Sequence, residues 1–418
     1  MKHAVTFILF LLFAYPGRSQ ITLDSCKVWA RSNYPVIKQF DLVEQSRRLT
    51  VSNAAKAWLP RIELNAGASY QSDVTTLPIS IPDIDLPDGP SKDQYDARLT
   101  ISQQIYDGGA VASAKRVANA QSDVEREKVN VAMYDIYERI EQIYFGILVL
   151  DEQLQVARLL QKDLALSNAS VTSMMKNGVA SQTDVDAVAV EQVKARQTET
   201  SILVSRNTYI KMLETFVGKK FRNNDILVKP AVSDFMTITN NRPELALYNA
   251  RDRLLDTRLK ALDVSLRPQL GVFASGGYGN PALNMLKNDF DSYYKIGATL
   301  SWNFGALYTR SNDKRKIEAE RQTIQSEREA FLFNTSLQTE LQSGVIDNLK
   351  KQLEQDDEII TLRRRIRNKA ETRVANGTET VNEMLRDINA ESNAILNKRL
   401  HEIQLLQEIY KLKTINNF

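Results

Sequence analysis

The chain carries few side chains with which to do chemistry. Histidine occurs only as His3 and His401, and cysteine only as Cys26. A single cysteine forms no intrachain disulfide and no cysteine-based zinc site. Two histidines exclude histidine-clustered metal sites, and a Ser-His-Asp triad would have to rest on His401. Gly277-Tyr278-Gly279-Asn280-Pro281-Ala282 fits the loose dinucleotide pattern G-x-G-x-x-A. Pro281 and the loop after it provide no helix N-terminus for a pyrophosphate, and no βαβ pattern surrounds them. A loop at a strand end is the expected structure there. The 51 acidic residues form no recognisable pocket of paired carboxylates. The sequence therefore assigns no catalytic residue, no cofactor and no metal, and an enzyme is not expected.

Lys+Arg 54 against Asp+Glu 51 gives a net charge of +3, too even for nucleic acid to be the main partner. The composition, 43% hydrophobic and 25% charged, is that of ordinary folded protein. With 418 residues, one large or two medium units are expected. The first residues read as a leader. Lys2 supplies positive charge, Ala4 to Tyr15 is apolar, and Pro16-Gly17 breaks the run. Gly17-Arg18-Ser19 places small residues where cleavage after Ser19 would need them, and the apolar run is too short to span a bilayer as a helix. Leu23-Asp24-Ser25 before Cys26 is no apolar lipobox, so lipidation is not expected.

The elements that would position any site are marked by proline and glycine. No proline lies between Pro90 and Pro230, and none follows Pro281. Within 110–217 the only glycines are Gly146 and Gly178; within 306–418 they are Gly344 and Gly377. Each stretch reads as a very long helix, a tight turn at Asn177-Gly178 or Asn376-Gly377, and a helix running back. Ser181 to Asp184 and Thr380 to Glu383 follow the turns with a capping hydroxyl and an acid; the second has capping-box spacing. Ile317, Ile324 and Phe331 step by sevens, and Val381, Leu385, Ile388 and Ile395 by four, three and seven. That is a narrow coiled-coil seam.

Four other segments alternate at period two. Ile62, Leu64, Ala66, Ala68 and Tyr70 share a face, as do Tyr95, Ala97, Leu99 and Ile101. Leu270, Val272, Ala274 and Tyr278 form a third set, and Tyr294, Ile296, Ala298, Leu300, Trp302 and Phe304 a fourth. Runs of this length can cross a membrane as tilted strands. In that register Leu99 and Ile296 face lipid, while Thr100 and Lys295 face a lumen.

The chain also repeats itself. Adding 208 maps Asn33, Pro35, Pro60, Ala66 and Tyr70 onto Asn241, Pro243, Pro268, Ala274 and Tyr278. Adding 199 maps Tyr95, Thr100, Ser102, Arg116, Asn177 and Gly178 onto Tyr294, Thr299, Ser301, Arg315, Asn376 and Gly377. The change of offset falls in the loop from Ser72 to Lys92, longer than its counterpart near Gly279 to Ser292. The expected organisation is a leader at 1–19, a first repeat at 20–217, a connection at 218–241 and a second repeat at 242–418. Strands are expected at about 61–72, 93–106, 268–279 and 292–304, with tip turns at about 177–183 and 376–382. Each repeat runs helix, strand, strand, long helix, helix, so the fold is mainly α with a membrane β-barrel. Four strands cannot close a barrel within one chain, and open edges are forbidden in hydrocarbon, so several chains must contribute.

The pattern resembles the TolC-like outer-membrane efflux family. The likeness is carried by Ile21 to Cys26 with Asn33-Tyr34-Pro35, by Trp58-Leu59-Pro60, and by Ile105-Tyr106-Asp107-Gly108-Gly109. The tip motifs Gly178 to Asp184 and Gly377 to Glu383 complete it, whereas Asn303-Phe304-Gly305 departs from the Asp-Gly-Gly expected in the second copy. The resemblance implies a homotrimer with a twelve-stranded barrel continued by a twelve-helix periplasmic tube. It implies a passive channel in the outer membrane of a Gram-negative-type bacterium, surrounded by outer-membrane lipid. Its partners would be a periplasmic adaptor (membrane fusion) protein and an inner-membrane transporter, serving efflux or type I secretion. By position Thr183, Asp184, Glu383 and Arg386 match the family's periplasmic gate, although plain helix capping and surface charge explain the same residues. Asn177, Gly178, Val179, Ala180 and Ser181, with Asn376, Gly377, Thr378, Glu379 and Thr380, would be adaptor-facing tips. Because Arg386 stands where acids are common, a purely acidic ring is not implied. The alternative is a soluble periplasmic coiled-coil adaptor or structural protein.

Overall fold

The computed structural model describes residues 20–75, 89–222, 225–231 and 240–417. The expected leader and its cleavage point lie outside the described residues, as do the middle of the Ser72–Lys92 loop and parts of the 218–241 connection. In chain order the elements are β1 (Gln20–Ile21), α1 (Leu23–Asn33), α2 (Lys38–Ala55), β2 (Arg61–Tyr70) and β3 (Asp93–Tyr106), then α3 (Ala110–Lys176) and α4 (Gln182–Val217). They continue with β4 (Ile226–Leu227), α5 (Pro243–Val264), β5 (Gln269–Asn280), β6 (Asp291–Ser301), α6 (Ala306–Ala375) and α7 (Val381–Asn416). No described helix is long and apolar enough to cross a membrane.

The chain divides into two compact units, and α3 and α6 contribute residues to both. The unit made of Phe40–Lys128 and Glu244–Glu329 holds the four-stranded sheet, ordered β2-β3-β5-β6 and antiparallel throughout. A bulge between Gln104 and Tyr106 shifts the β3–β5 register near the end of β3. Beside the sheet, Ala120 and Val124 of α3 pack on Ala250 and Leu254 of α5. The α5–α6 seam is ionic. Arg310 donates to Asp263 at 2.5 Å, and Arg321 donates to Asp252 at 2.9 Å and also to Asp256. These pairs are half exposed, so each contributes only about 0–1 kcal/mol.

The other unit comprises Met1–Gln39, Val129–Pro243 and Ala330–Phe418. Its core gathers one stripe from each of four helices. Leu164 and Val171 of α3, Val188 and Ala195 of α4, Ala370 and Val374 of α6, and Val381, Met384, Leu385 and Ile388 of α7 are buried together. Gly146 lies inside the unbroken α3 where α4 passes close: a Cβ at 146 would lie 2.5 Å from the Tyr209 ring. Away from that core, α3 carries the fully buried Tyr144, whose hydroxyl lies 2.7 Å from Ile21 O and 2.6 Å from Val228 O. This holds the short parallel pair β1–β4 against α3. Nearby, Lys27 donates to buried Glu141 at 2.5 Å and Thr414 donates to the same carboxylate at 2.8 Å. Burial pushes the Glu141 carboxyl above its usual range, while Lys27 and Thr414 pull it back.

Candidate functional site: strand faces and hairpin tips

The sheet has one apolar face. Leu64 lies opposite Leu99, which lies opposite Gly276, which lies opposite Tyr294. The neighbouring row runs Ile62, Ile101, Ala274, Ile296. Because side chains alternate along each strand, the other face collects Glu63, Thr100, Ser275 and Lys295, with Asn65, Arg98, Gly277 and Tyr293 in the next row. Tyr293 Oη donates to Asp96 on this polar face. A soluble sheet would bury its apolar face. Here Leu64 is 74% exposed and Ile296 75%, and every residue of β2 is exposed. Trp302 leaves the sheet, its indole N–H donating to Leu266 O at 2.9 Å, so β6 ends at Ser301, short of the expected 304.

The two hairpin tips are copies of one another at atomic detail. At the first, Val179 N donates to Met174 O at 2.9 Å and Gly178 N to Met175 O at 3.0 Å. At the second, Thr378 N donates to Arg373 O and Gly377 N to Val374 O, both at 2.9 Å. This crossed pair of bonds is a Schellman motif, which needs a left-handed residue after the helix. Gly178 (φ 76°) and Gly377 (φ 71°) supply it.

Each return helix then begins with a complete capping box. Asp184 Oδ2 accepts from Ser181 N at 2.8 Å and from Ser181 Oγ at 2.7 Å, while Asp184 N donates back to Ser181 Oγ at 3.3 Å. Glu383 Oε2 accepts from Thr380 N at 3.1 Å and Thr380 Oγ1 at 2.9 Å, and Glu383 N donates to Thr380 Oγ1 at 3.3 Å. The Ser181 bonds hold the Asp184 carboxyl below its usual range, and the Thr380 bonds do the same for Glu383, with Arg386 adding a smaller effect through its charge.

Of the four gate candidates, Thr183, Glu383 and Arg386 are exposed and Asp184 is half-buried. All four stand in the first two turns of α4 or α7. Glu379 takes a further contact, 3.8 Å from Arg373.

A second cluster of charge was not singled out from the sequence. Glu391 of α7, only 3% exposed, accepts from Arg364 Nε at 3.0 Å and Arg367 Nη1 at 3.2 Å. Arg367 also donates to Asp163 of α3 at 3.3 Å and to Glu371 at 2.9 Å. The cluster thus ties α3, α6 and α7. The offset of 199 places Asn168 and Gln192 where the second hairpin has Arg367 and Glu391. There Gln192 instead donates to Leu164 O at 3.2 Å. The two hairpins share their tips but not this ionic cross-link. Among the described residues no group of three or more His, Cys, Asp or Glu is placed to hold a metal.

Residues 29–218 match the outer membrane efflux protein family (OEP), a span within the first repeat and its junction. By fold, 94% of the chain matches 89% of the outer-membrane channel OprN at 14% identity, with a TM-score of 0.67. It likewise matches the outer membrane protein VceC of Vibrio cholerae, at 14% identity and a TM-score of 0.64, over 94% of each chain. The CmeC outer membrane channel of Campylobacter jejuni covers 99% of this chain with 93% of its own, at 13% identity and a TM-score of 0.63. Among curated proteins, no sequence matches. Residues 29–218 thus carry the sequence likeness to the outer membrane efflux protein family, and nearly the whole chain shares the fold of these outer-membrane channels.

Proposed function

We propose that the protein is an outer-membrane exit duct, passively conducting what an inner-membrane pump delivers through a periplasmic adaptor. The observation that carries this reading is the sheet with one exposed apolar face and two open edges, β2 and β6. Such edges cannot stand in hydrocarbon, and such a face is wasted in water. Because β2 to β6 alternate in direction, β6 of one copy can pair antiparallel with β2 of the next, and copies close a barrel without a break in pattern. The family likeness favours three copies, hence twelve strands. A soluble coiled-coil adaptor has no use for this face. Export would remove residues 1–19.

The test is fractionation followed by mass measurement in detergent. The expected result is an outer-membrane particle of three chains, each 47.4 kDa before removal of the leader. A monodisperse monomer in detergent-free buffer would overturn the barrel.

Within this reading the tips, Asn177 to Ser181 and Asn376 to Thr380, face the adaptor, and Thr183, Asp184, Glu383 and Arg386 line the periplasmic entrance. Glu383 and Arg386 lie three residues apart and hence on one face of α7. Three-fold symmetry would bring three of each toward the axis, where alternating signs blunt selectivity that a ring of one sign would create. Arg386→Ala is expected to raise cation preference and block by trivalent cations in planar bilayers. Glu383→Gln should lower both, and glutamine still serves a capping box, so the change isolates charge from helix capping. Conductance, selectivity and block all equal to wild type in both variants would make these residues solvated tip charges only.

A further inference from the structure

We propose that the mature chain begins with pyroglutamate, formed from Gln20. The inference rests on the removal of residues 1–19 proposed above, and adds what becomes of the new terminus. Cleavage after Ser19 leaves glutamine as the first residue. The fold holds this residue in a particular way. Gln20 pairs with Ile226 in β1–β4 and is exposed. The next residue is locked: Ile21 is 1% exposed, and its carbonyl oxygen accepts from Val228 N at 3.0 Å and lies 2.7 Å from the Tyr144 hydroxyl. The first residue of the mature chain is therefore an exposed glutamine attached to an anchored neighbour.

The chemistry needs nothing from outside. An α-amino group has a pKa of about 7.7–8.0, so an appreciable fraction is uncharged and nucleophilic near neutral pH. The neutral amine attacks Cδ of its own side chain, a C–N bond forms, and the carboxamide C–N bond breaks. Ammonia leaves, carrying the proton shed by the amine, and a five-membered lactam remains. No oxidation state changes. An exported glutamine cyclase would hasten the same step without altering its balance.

The position gives the ring a consequence. Aminopeptidases need a free amine, and stepwise trimming past Gln20 would reach Ile21, the buried residue whose carbonyl serves both Val228 and Tyr144. A lactam stops trimming before it starts and removes the terminal positive charge.

The experiment labels free amines on the intact protein purified from outer membranes, before any digestion, and then reads the tryptic peptide Gln20–Lys27 by mass spectrometry. The expected peptide begins at residue 20, lacks the mass of one ammonia, and carries no amine label at its N-terminus. Gln20→Asn keeps a carboxamide but could close only a strained four-membered ring, so that variant should be labelled at residue 20 and open to aminopeptidase, which wild type resists. A wild-type peptide starting at Gln20 with a labelled amine would overturn the lactam and leave the leader reading intact. A terminus elsewhere would overturn the leader reading itself. A blocked Gln20→Asn terminus would mean that something other than cyclisation closes the amine.

Discussion

Leu99→Arg is expected to abolish nearly all assembled protein in the outer membrane, while Thr100→Arg leaves most of it. The two residues are adjacent in the middle of β3 and differ only in the face they occupy. Leu99 sits between Leu64 of β2 and Gly276 of β5, on the face that the duct reading gives to lipid. Thr100 sits between Glu63 and Ser275 on the opposite face. An arginine at a lipid-facing midplane position costs about 2–4 kcal/mol, which is a factor of about 30 or more in the insertion equilibrium for each chain. A closed barrel of several copies meets that cost in every copy. An arginine at 100 meets water and the Glu63 carboxylate, so its cost is about 0–1 kcal/mol of either sign. Semi-native electrophoresis of outer-membrane fractions gives the readout. Equal losses, or a larger loss for Thr100→Arg, would mean that the apolar face does not meet lipid.

That contrast was legible in the sequence because strand alternation is local. Once Tyr95, Ala97, Leu99 and Ile101 fall at period two, the face of each is fixed without knowing what packs where. The helices were legible for a related reason. More than sixty residues without proline, ended by Asn177-Gly178, leave few alternatives to one long helix. The repeated tips followed from the same residues, since a Schellman turn and a capping box each spend nearest neighbours. The β3 bulge was not legible, because Gln104 and Ile105 carry no signal that distinguishes an inserted residue from a paired one. Trp302 and Phe304 continued the alternation beyond the end of β6, since aromatics that have left the strand to pack against one another at a tilt read like ones still in it. The Asp163–Arg367–Glu391 cluster was the least legible of all. Its members lie on three helices, and each alone looks like a solvated charge on a long polar helix. Only packing reveals that Glu391 is buried. As for the gate candidates, sequence spacing could not separate a capping carboxylate from a channel-lining one. The capping boxes give Asp184 and Glu383 a structural duty that does not preclude the other.

The cluster supports the second large prediction, that Arg367→Ala strongly destabilises the helical unit while Arg364→Ala does not. Arg367 is the common partner of Asp163, Glu371 and Glu391, and its side chain is 21% exposed. Without it, the Glu391 carboxylate, 4% exposed, keeps only Arg364, which is itself 59% exposed. Removing one partner from a buried pair costs about 3–5 kcal/mol, because the charge left behind stays out of water. Partial exposure of Arg367 puts the expectation at the lower end. Arg364 makes one bond from the surface, so Arg364→Ala should cost about 0–1 kcal/mol. A third variant separates lost packing from stranded charge. Adding Glu391→Leu to Arg367→Met removes the most buried charge together with its partner and leaves apolar side chains near Ala370 and Ile388, so stability should recover in large part. Thermal unfolding of the detergent-solubilised protein, followed by helical circular dichroism at neutral pH, measures all three effects. If Arg367→Ala unfolds with wild type at neutral pH, the cross-link among α3, α6 and α7 contributes nothing to the fold. If its deficit is instead unchanged by the double substitution, the loss comes from the arginine's packing and not from its charge.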